Sequence, residues 1–379
     1  MLYYITHANL PTKKAFGYAV AKMCSTFANT EKVTLVIPKK VIKEVDISED
    51  LYTYYGIPNN FSVIYIPVIQ AAHFRFLGDI IPFLIEKISF SISVFRLKIK
   101  KGDTCYSRDI LPLLFLRLKT AKLFLEIHYL SKSDSFYIRW IRLAKKIIVI
   151  TSFLKEELIG IGYNKDDIHI APDAVDLTLF DSVKEDKYTI RNKLGLPNDK
   201  KIVLYLGNLF PWKGVYNLVD SLQNLSNDTV LVIVGGSDDT LPQFRQFCAG
   251  KSYFDNIVIT GYKKHEEISH YLKSADILVI PNSAKERISK YNTSPLKLFE
   301  YMASGVPILA SDLPSLREVL NEGNATFFQP DDPVDLGKTV KAALADVESL
   351  NQKSKQALID VKQYTWEIRA RNILKFIHD

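Results

Sequence analysis

The chain predicts an α/β protein built as two Rossmann-like domains with parallel sheets, and three observations carry that prediction. Short, β-branched apolar runs alternate with helical stretches from one end to the other. Its 379 residues suffice for two domains, each with its own core. A hydrophobic content of 47% and a charged content of 24% are those of an ordinary folded protein, which excludes disordered and fibrous classes.

The first series of strands is expected at residues 2–6, 33–37, 62–66, 122–126 and 147–151, with helices at 14–28 and 152–161. Each strand segment is rich in Val, Ile, Leu and aromatics, as suits a sheet buried on both faces. A second series follows at 202–207, 230–234, 257–261, 277–281 and 308–311, with helices at 215–225, 265–273 and 333–344 between or after them. A polar, Asp-rich stretch at 171–200 separates the two series and reads as a link. The expected domains are therefore residues 1–175 and 176–363, with 364–379 a final helix carrying Trp366, Ile368, Ala370 and Ile373. Sheets of this kind place ligands at the carboxyl ends of their strands.

Charge is distributed unevenly. Residues 1–175 hold 24 Lys and Arg against 16 Asp and Glu, whereas 176–379 hold 25 against 26. Two basic clusters stand out, Arg96/Lys98/Lys100/Lys101 and Arg139/Arg142/Lys145/Lys146, the second at helical spacing. The Phe-, Ile- and Leu-rich stretch 74–97 is interrupted by Asp79, Pro82, Glu86 and Lys87, which excludes a plain transmembrane helix. Two readings stay open for it: a solvated basic surface over a core helix, or a face of the first domain that docks on an anionic membrane. No recognition-helix, zinc-finger or RRM-like pattern occurs, so nucleic acid is not an expected partner. Cys24, Cys105 and Cys248 are sparse, odd in number and without metal-ligand spacing, which fits a reducing compartment. The apolar run at the amino terminus is too short for a signal peptide, so a cytoplasmic protein is expected, peripheral on the inner membrane face under the second reading.

The most informative segment is 293–320. Ser294 reads as an N-cap and Pro295 as the first helical residue, with Leu296, Phe299 and Met302 recurring at helical spacing. Gly305 and Pro307 stop the helix ahead of a short apolar strand. The first turn then offers the unpaired N–H groups of Leu296 and Lys297 and a positive dipole end, suited to phosphate. Glu300, one turn deeper, can accept hydrogen bonds from a pair of sugar hydroxyls. A plain helix with a solvated Glu300 is the competing reading. The loop 205–214 follows a β run and precedes a helix, with Gly207 allowing close backbone approach and Lys213 supplying positive charge. An ordinary turn is equally consistent with it. His128 lies just past a strand end, where a structural role competes with a functional one, and Glu126 reads as its buried support.

Glu300 together with the following Met302-Ala303-Ser304-Gly305-Val306-Pro307 resembles the signature of retaining GT-B glycosyltransferases of the family 4, glycosyl transferases group 1 type. Those proteins carry a first Glu eight residues earlier, facing the donor sugar, where this chain has Asn292; Asn can still bond to hydroxyls. The resemblance implies two Rossmann-like domains facing an interdomain cleft, with the final helix crossing back to the first domain. It implies transfer of a sugar from a nucleotide diphosphate-sugar to a hydroxyl of a glycan or lipid-linked acceptor, in cell-surface polysaccharide synthesis. Glu300 would hold the ribose; Lys213 and the helix start at Ser294, Leu296 and Lys297 the diphosphate; and His128 the donor sugar. Asn208 stands where the family usually has a phosphate-binding Arg, leaving Lys297, Arg287 and Arg108 as further sources of compensating charge. Arg108 also falls in a segment resembling a family strand end. Gly17 remains from a family glycine pair near the donor phosphate, Tyr262 belongs to a turn resembling the base-reading one, and 172–176 resembles the family hinge. No Asp-x-Asp, GxxxxGK[ST], HExxH or GxSxG motif occurs, so no metal or other cofactor is expected. Two other readings accompany this one: a nucleotide-sugar epimerase or hydrolase of the same fold, and a weakly active nucleotide-sugar-binding subunit.

Overall fold

The computed structural model describes residues 1–39, 50–70, 78, 80–130 and 135–379, the side chains of 135–137 excepted. Of the apolar stretch 74–97, residues 74–77 and Asp79 lie outside the described residues. The chain divides into two compact units, Met1–Ala171 with Trp366–Asp379, and Pro172–Thr365.

The first unit holds a seven-stranded sheet of β1 Leu2–Ile5, β2 Val33–Lys39, β3 Ser62–Pro67, β4 Thr104–Ser107, β5 Leu123–Ile127, β6 Lys146–Val149 and β7 Ile168–Ile170. Their spatial order is β3-β2-β1-β4-β5-β6-β7, and every described pairing is parallel. Leu2 pairs with Val33 on one side and Thr104 on the other, so strand order reverses at β1–β4. The second unit holds β8 Lys201–Leu206, β9 Thr229–Val234, β10 Ile257–Gly261, β11 Ile277–Ile280, β12 Ile308–Ser311 and β13 Thr326–Phe328. Its order is β10-β9-β8-β11-β12-β13, again parallel, with the reversal at β8–β11. Each reversal opens a crevice at the strand carboxyl ends.

Alternation along β8 shows why these runs become strands. Ile202, Leu204 and Leu206 belong to one buried cluster, and Val203 and Tyr205 to the cluster on the opposite face. Both faces are apolar, so the segment is stable only between two helical layers. In the first unit, one face of the sheet packs Tyr3, Ile5, Leu125 and Val149 beneath Phe90 and Val94 of the Ile80–Phe95 helix. On the other, Tyr106 meets Phe27 edge to face, and Tyr18 meets Trp366 of the final helix. That helix, Trp366–His378, packs against the Ala15–Phe27 helix, as the resemblance implied.

Two expectations are corrected. The units divide at Ala171/Pro172, within the expected stretch 171–200, but the rest of that stretch is not a link: it folds into the helices Leu177–Asp181 and Lys187–Leu194 of the second unit. Its aspartates are N-caps, Asp176 accepting from the Thr178 N–H and Asp186 from those of Tyr188 and Thr189. The cluster Arg139/Arg142/Lys145/Lys146 is not one helical face, because β6 begins at Lys146, whose ammonium bonds to the Phe376 carbonyl at 2.6 Å.

Candidate functional site

In the second unit, chemistry gathers at the β8–β11 reversal. β8 ends at Leu206, and the chain turns through Gly207 (φ +143°) and Asn208 into the single turn Pro211–Lys213. At Gly214 (φ +72°) a Cβ would lie 1.6 Å from the Pro281 carbonyl oxygen, so only glycine lets this loop close on the end of β11. The Ser283 N–H completes that closure by donating to the Trp212 carbonyl at 3.0 Å.

The helix Leu296–Ser304 starts beside this loop. Its N-cap is Pro295, whose ψ of 130° is extended, rather than Ser294 as the sequence suggested. Ser294 is committed elsewhere: its hydroxyl accepts from the Asp173 N–H at 3.0 Å. Leu296 and Lys297 are nevertheless the first two helical residues, with the mouth uncapped by any side chain. Lys297 is 7% exposed, and its ammonium has no hydrogen-bond partner among the described residues. It lies over the Tyr205 ring, 4.2 Å from the centroid, and 3.7 Å from where a Cβ on Gly207 would stand. Burial, reinforced by Lys213, pushes Lys297 well below the usual lysine value, against the pull of Glu300. Lys213, over the Trp212 ring at 3.8 Å, is lowered to about 8 by burial.

Glu300 lies one turn deeper, buried, with His265 Nδ1 at 3.7 Å from its Oε1. Burial raises its carboxyl to about 7, with Lys297 opposing. Two depressed lysines and one raised carboxyl mark a site where burial outweighs the charge partners at hand. An anion entering it would favour the charged form of both lysines. Among the described residues neither side-chain amide atom of Asn292, 1% exposed, has a hydrogen-bond partner, and the same holds for the fully buried Asn282 just past β11. Sequence reasoning missed Asn282, Tyr205 and His265. Their signal was position alone, since each lies at or just beyond the carboxyl end of a strand or opens the next helix.

Other predicted positions lie at loops and in a helix. The Asn208 carboxamide accepts from the Leu209 N–H at 2.7 Å and from the Thr240 hydroxyl at 3.4 Å, which ties the loop to itself. Tyr262 follows Gly261, whose carbonyl accepts from the Gly235 N–H at 2.8 Å. Gly17 lies inside the Ala15–Phe27 helix with its N–H bonded to Lys14, and a Cβ there would meet the Tyr55 hydroxyl at 2.2 Å. It is a close-packing glycine, with no amide left to offer.

In the first unit, Glu126 on β5 is a fully buried hub. Its Oε1 accepts from Arg108 at 2.9 Å and Arg369 at 2.8 Å and meets His128 Nε2 at 2.6 Å; its Oε2 accepts from the Tyr106 hydroxyl. Arg108 and Arg369 hold its carboxyl well below the usual range despite burial. His128, one residue beyond β5, keeps 32% of its side chain exposed. The Arg369 contribution was legible in principle, because an arginine on the apolar stripe of Trp366, Ala370 and Ile373 must find a buried partner.

Residues 186–359 match the family described as Glycosyl transferases group 1. An uncharacterized glycosyltransferase of Methanocaldococcus jannaschii is 25% identical over 228 residues, 59% of this chain and 57% of that protein. The phosphatidyl-myo-inositol mannosyltransferase of Mycobacterium tuberculosis is 28% identical over 218 residues, 54% of each. These matches span about half the length of the curated relatives. Anabaena HepE, solved with UDP-glucose, superposes with a TM-score of 0.75 at 13% identity, covering 100% of this chain and 99% of that one. That likeness shows the GT-B fold.

Proposed function

We propose that this chain, whose residues 186–359 form a glycosyl transferases group 1 domain, is a glycosyltransferase that takes its sugar from a nucleotide diphosphate-sugar. One observation supports this most: the unpartnered Lys297 ammonium buried at an uncapped helix mouth, with Lys213 and Glu300 beside it. In this reading the helix start and the two lysines take the diphosphate and Glu300 the ribose hydroxyls. As the sugar leaves, charge builds on the diphosphate, and preformed cations and N–H dipoles stabilise it without a metal. Asn292 takes part in holding the transferred sugar, and transfer retains anomeric configuration. The donor class is the one HepE was solved with, and the lipid in the mannosyltransferase's name supports a lipid-linked or glycan acceptor. Work on such an acceptor places the protein in cell-surface polysaccharide synthesis, peripheral on an anionic inner membrane face.

The test is calorimetry with UDP. Glu300→Ala and Lys213→Ala should each weaken binding by roughly 1.5–3 kcal/mol, the worth of a charge-assisted hydrogen bond. Unaltered affinity in both variants sinks the reading. Incubation with UDP-glucose alone should leave the sugar intact, whereas rapid isomerisation or release indicates an epimerase or hydrolase.

A further inference from the structure

The Ile80–Phe95 helix turns apolar side chains both ways. Phe90 and Val94 enter the core of the first unit, and the helix is pinned to the end of β3 by the Ser93 hydroxyl donating to the Pro67 carbonyl at 3.0 Å. On the opposite side Ile81, Leu84, Ile88 and Ile92 are 41, 47, 45 and 40% exposed. Their spacing of three, four and four residues puts them in one stripe within about 80° of the helix circumference. Ile80, 74% exposed, widens it at the amino-terminal end. Singly exposed apolar residues need no explanation, but a continuous stripe on one helix does.

Basic residues lie where the stripe ends. Arg96, Lys98, Lys100 and Lys101 follow the helix directly and are all exposed. Lys119 adds a further cation, its ammonium over the Phe95 ring at 4.7 Å and donating to the Leu97 carbonyl at 2.7 Å. Asp103, two residues past the cluster in sequence, is engaged by the Lys100 N–H and the terminal ammonium, and Lys87 on the helix pairs with Asp109 at 3.3 Å. An apolar stripe flanked by uncompensated positive charge matches a bilayer surface, with acyl chains under the stripe and anionic headgroups beside it. Sixteen residues give a rod about 24 Å long, fit to lie in the interface plane. No described helix is long and apolar enough to cross a membrane.

We propose that the Ile80–Phe95 helix is a membrane-docking surface: it lies flat on an anionic bilayer, with Ile81, Leu84, Ile88 and Ile92 inserted and Arg96, Lys98, Lys100 and Lys101 on the headgroups. This deepens the membrane-association part of the proposed function by naming its surface, and it is independent of which sugar is moved. The second copy of the chain that could cover such a stripe is ruled in or out by the same experiment.

The full chain is floated with phosphatidylcholine vesicles made with and without phosphatidylglycerol, and UDP binding is measured on the same preparations. The wild type should co-float with the anionic vesicles only, and less at high salt. Leu84→Ser with Ile88→Ser should abolish co-flotation. Lys98→Ala with Lys100→Ala and Lys101→Ala should weaken it by roughly fivefold per charge removed. These positions are exposed, so both variants should keep the wild-type melting temperature and UDP affinity. Variants that float as well as the wild type overturn the assignment of this helix and leave membrane association standing. A wild type that never floats overturns both, and a concentration-dependent dimer lost on Leu84→Ser with Ile88→Ser shows that the stripe is a contact between copies. A wild type that floats but binds no UDP leaves the docking surface standing and counts against a uridine donor alone.

Discussion

Lys297 concentrates the physics of the candidate site. An ammonium taken from water without a hydrogen-bond partner costs several kcal/mol, which the Tyr205 face and Glu300 offset only in part. Lys297→Met should therefore make the ligand-free protein more stable, by about 1–2 kcal/mol in urea unfolding, while UDP affinity falls at least tenfold; a variant that is both less stable and unimpaired in binding contradicts the assignment. Glu300 gives a complementary pH signature. Its carboxyl titrates near 4.5 when unfolded and about 7 when folded, so the folded state binds the extra proton between those values. Its contribution to stability is complete below about 4.5 and is lost as pH rises through 7, on the order of 3 kcal/mol. Urea titrations across that range should show the decline, and Glu300→Gln should flatten it. The identity of these two residues and their spacing on one helix were legible in the sequence. Their charge states were not, because those depend on Tyr205, Gly207 and Lys213 arriving from another segment. Ser294 failed as a cap for the same reason, its hydroxyl being taken by Asp173, 121 residues away.

Elements were legible wherever their own residues set them. The two strands at Ile257–Gly261 and Ile308–Ser311 coincide with the expected ranges, since compact β-branched runs bounded by Gly or polar residues leave little choice. β7 and β13 are three residues long and β4, Thr-Cys-Tyr-Ser, holds no aliphatic residue, so none announces itself by an apolar run and only pairing with a neighbour makes them strands. Aspartates at 176 and 186 suggested a link by composition, yet each is the cap of a short helix. The final helix, Trp366–His378, is held by a contact the apolar pattern omits. Arg369 reaches Glu126 at 2.8 Å and Met23 Sδ at 3.3 Å from a side chain only 4% exposed. Arg369→Met should destabilise the protein by roughly 2–3 kcal/mol in denaturant unfolding, short of the full cost of an orphaned buried charge because Arg108 still bonds Glu126. A wild-type midpoint would show that this pair does not anchor the helix.

At the scale of the whole molecule, each unit has its own parallel sheet and buried core, and the second contains both Lys213 and Glu300. A ligand bound only by the folded second unit stabilises it by mass action, about 2.7 kcal/mol at a hundred times the dissociation constant. Saturating UDP should therefore slow amide hydrogen exchange within Pro172–Thr365, most at residues 205–214 and 294–300, and slowing confined to Met1–Ala171 would contradict the placement of the nucleotide site. The sequence by itself determined the fold class, the run of major strands, the helix that begins near Leu296 and the basic excess of the first half, because alternation, helical periodicity and charge are local properties. Tertiary structure decided the strand order, and with it which loops meet at β8–β11 and that Glu126 gathers Arg108, His128 and Arg369 around one carboxylate. It also decided that one face of the Ile80–Phe95 helix stays uncovered. These are outcomes of burial, and burial is shared among segments far apart in the chain.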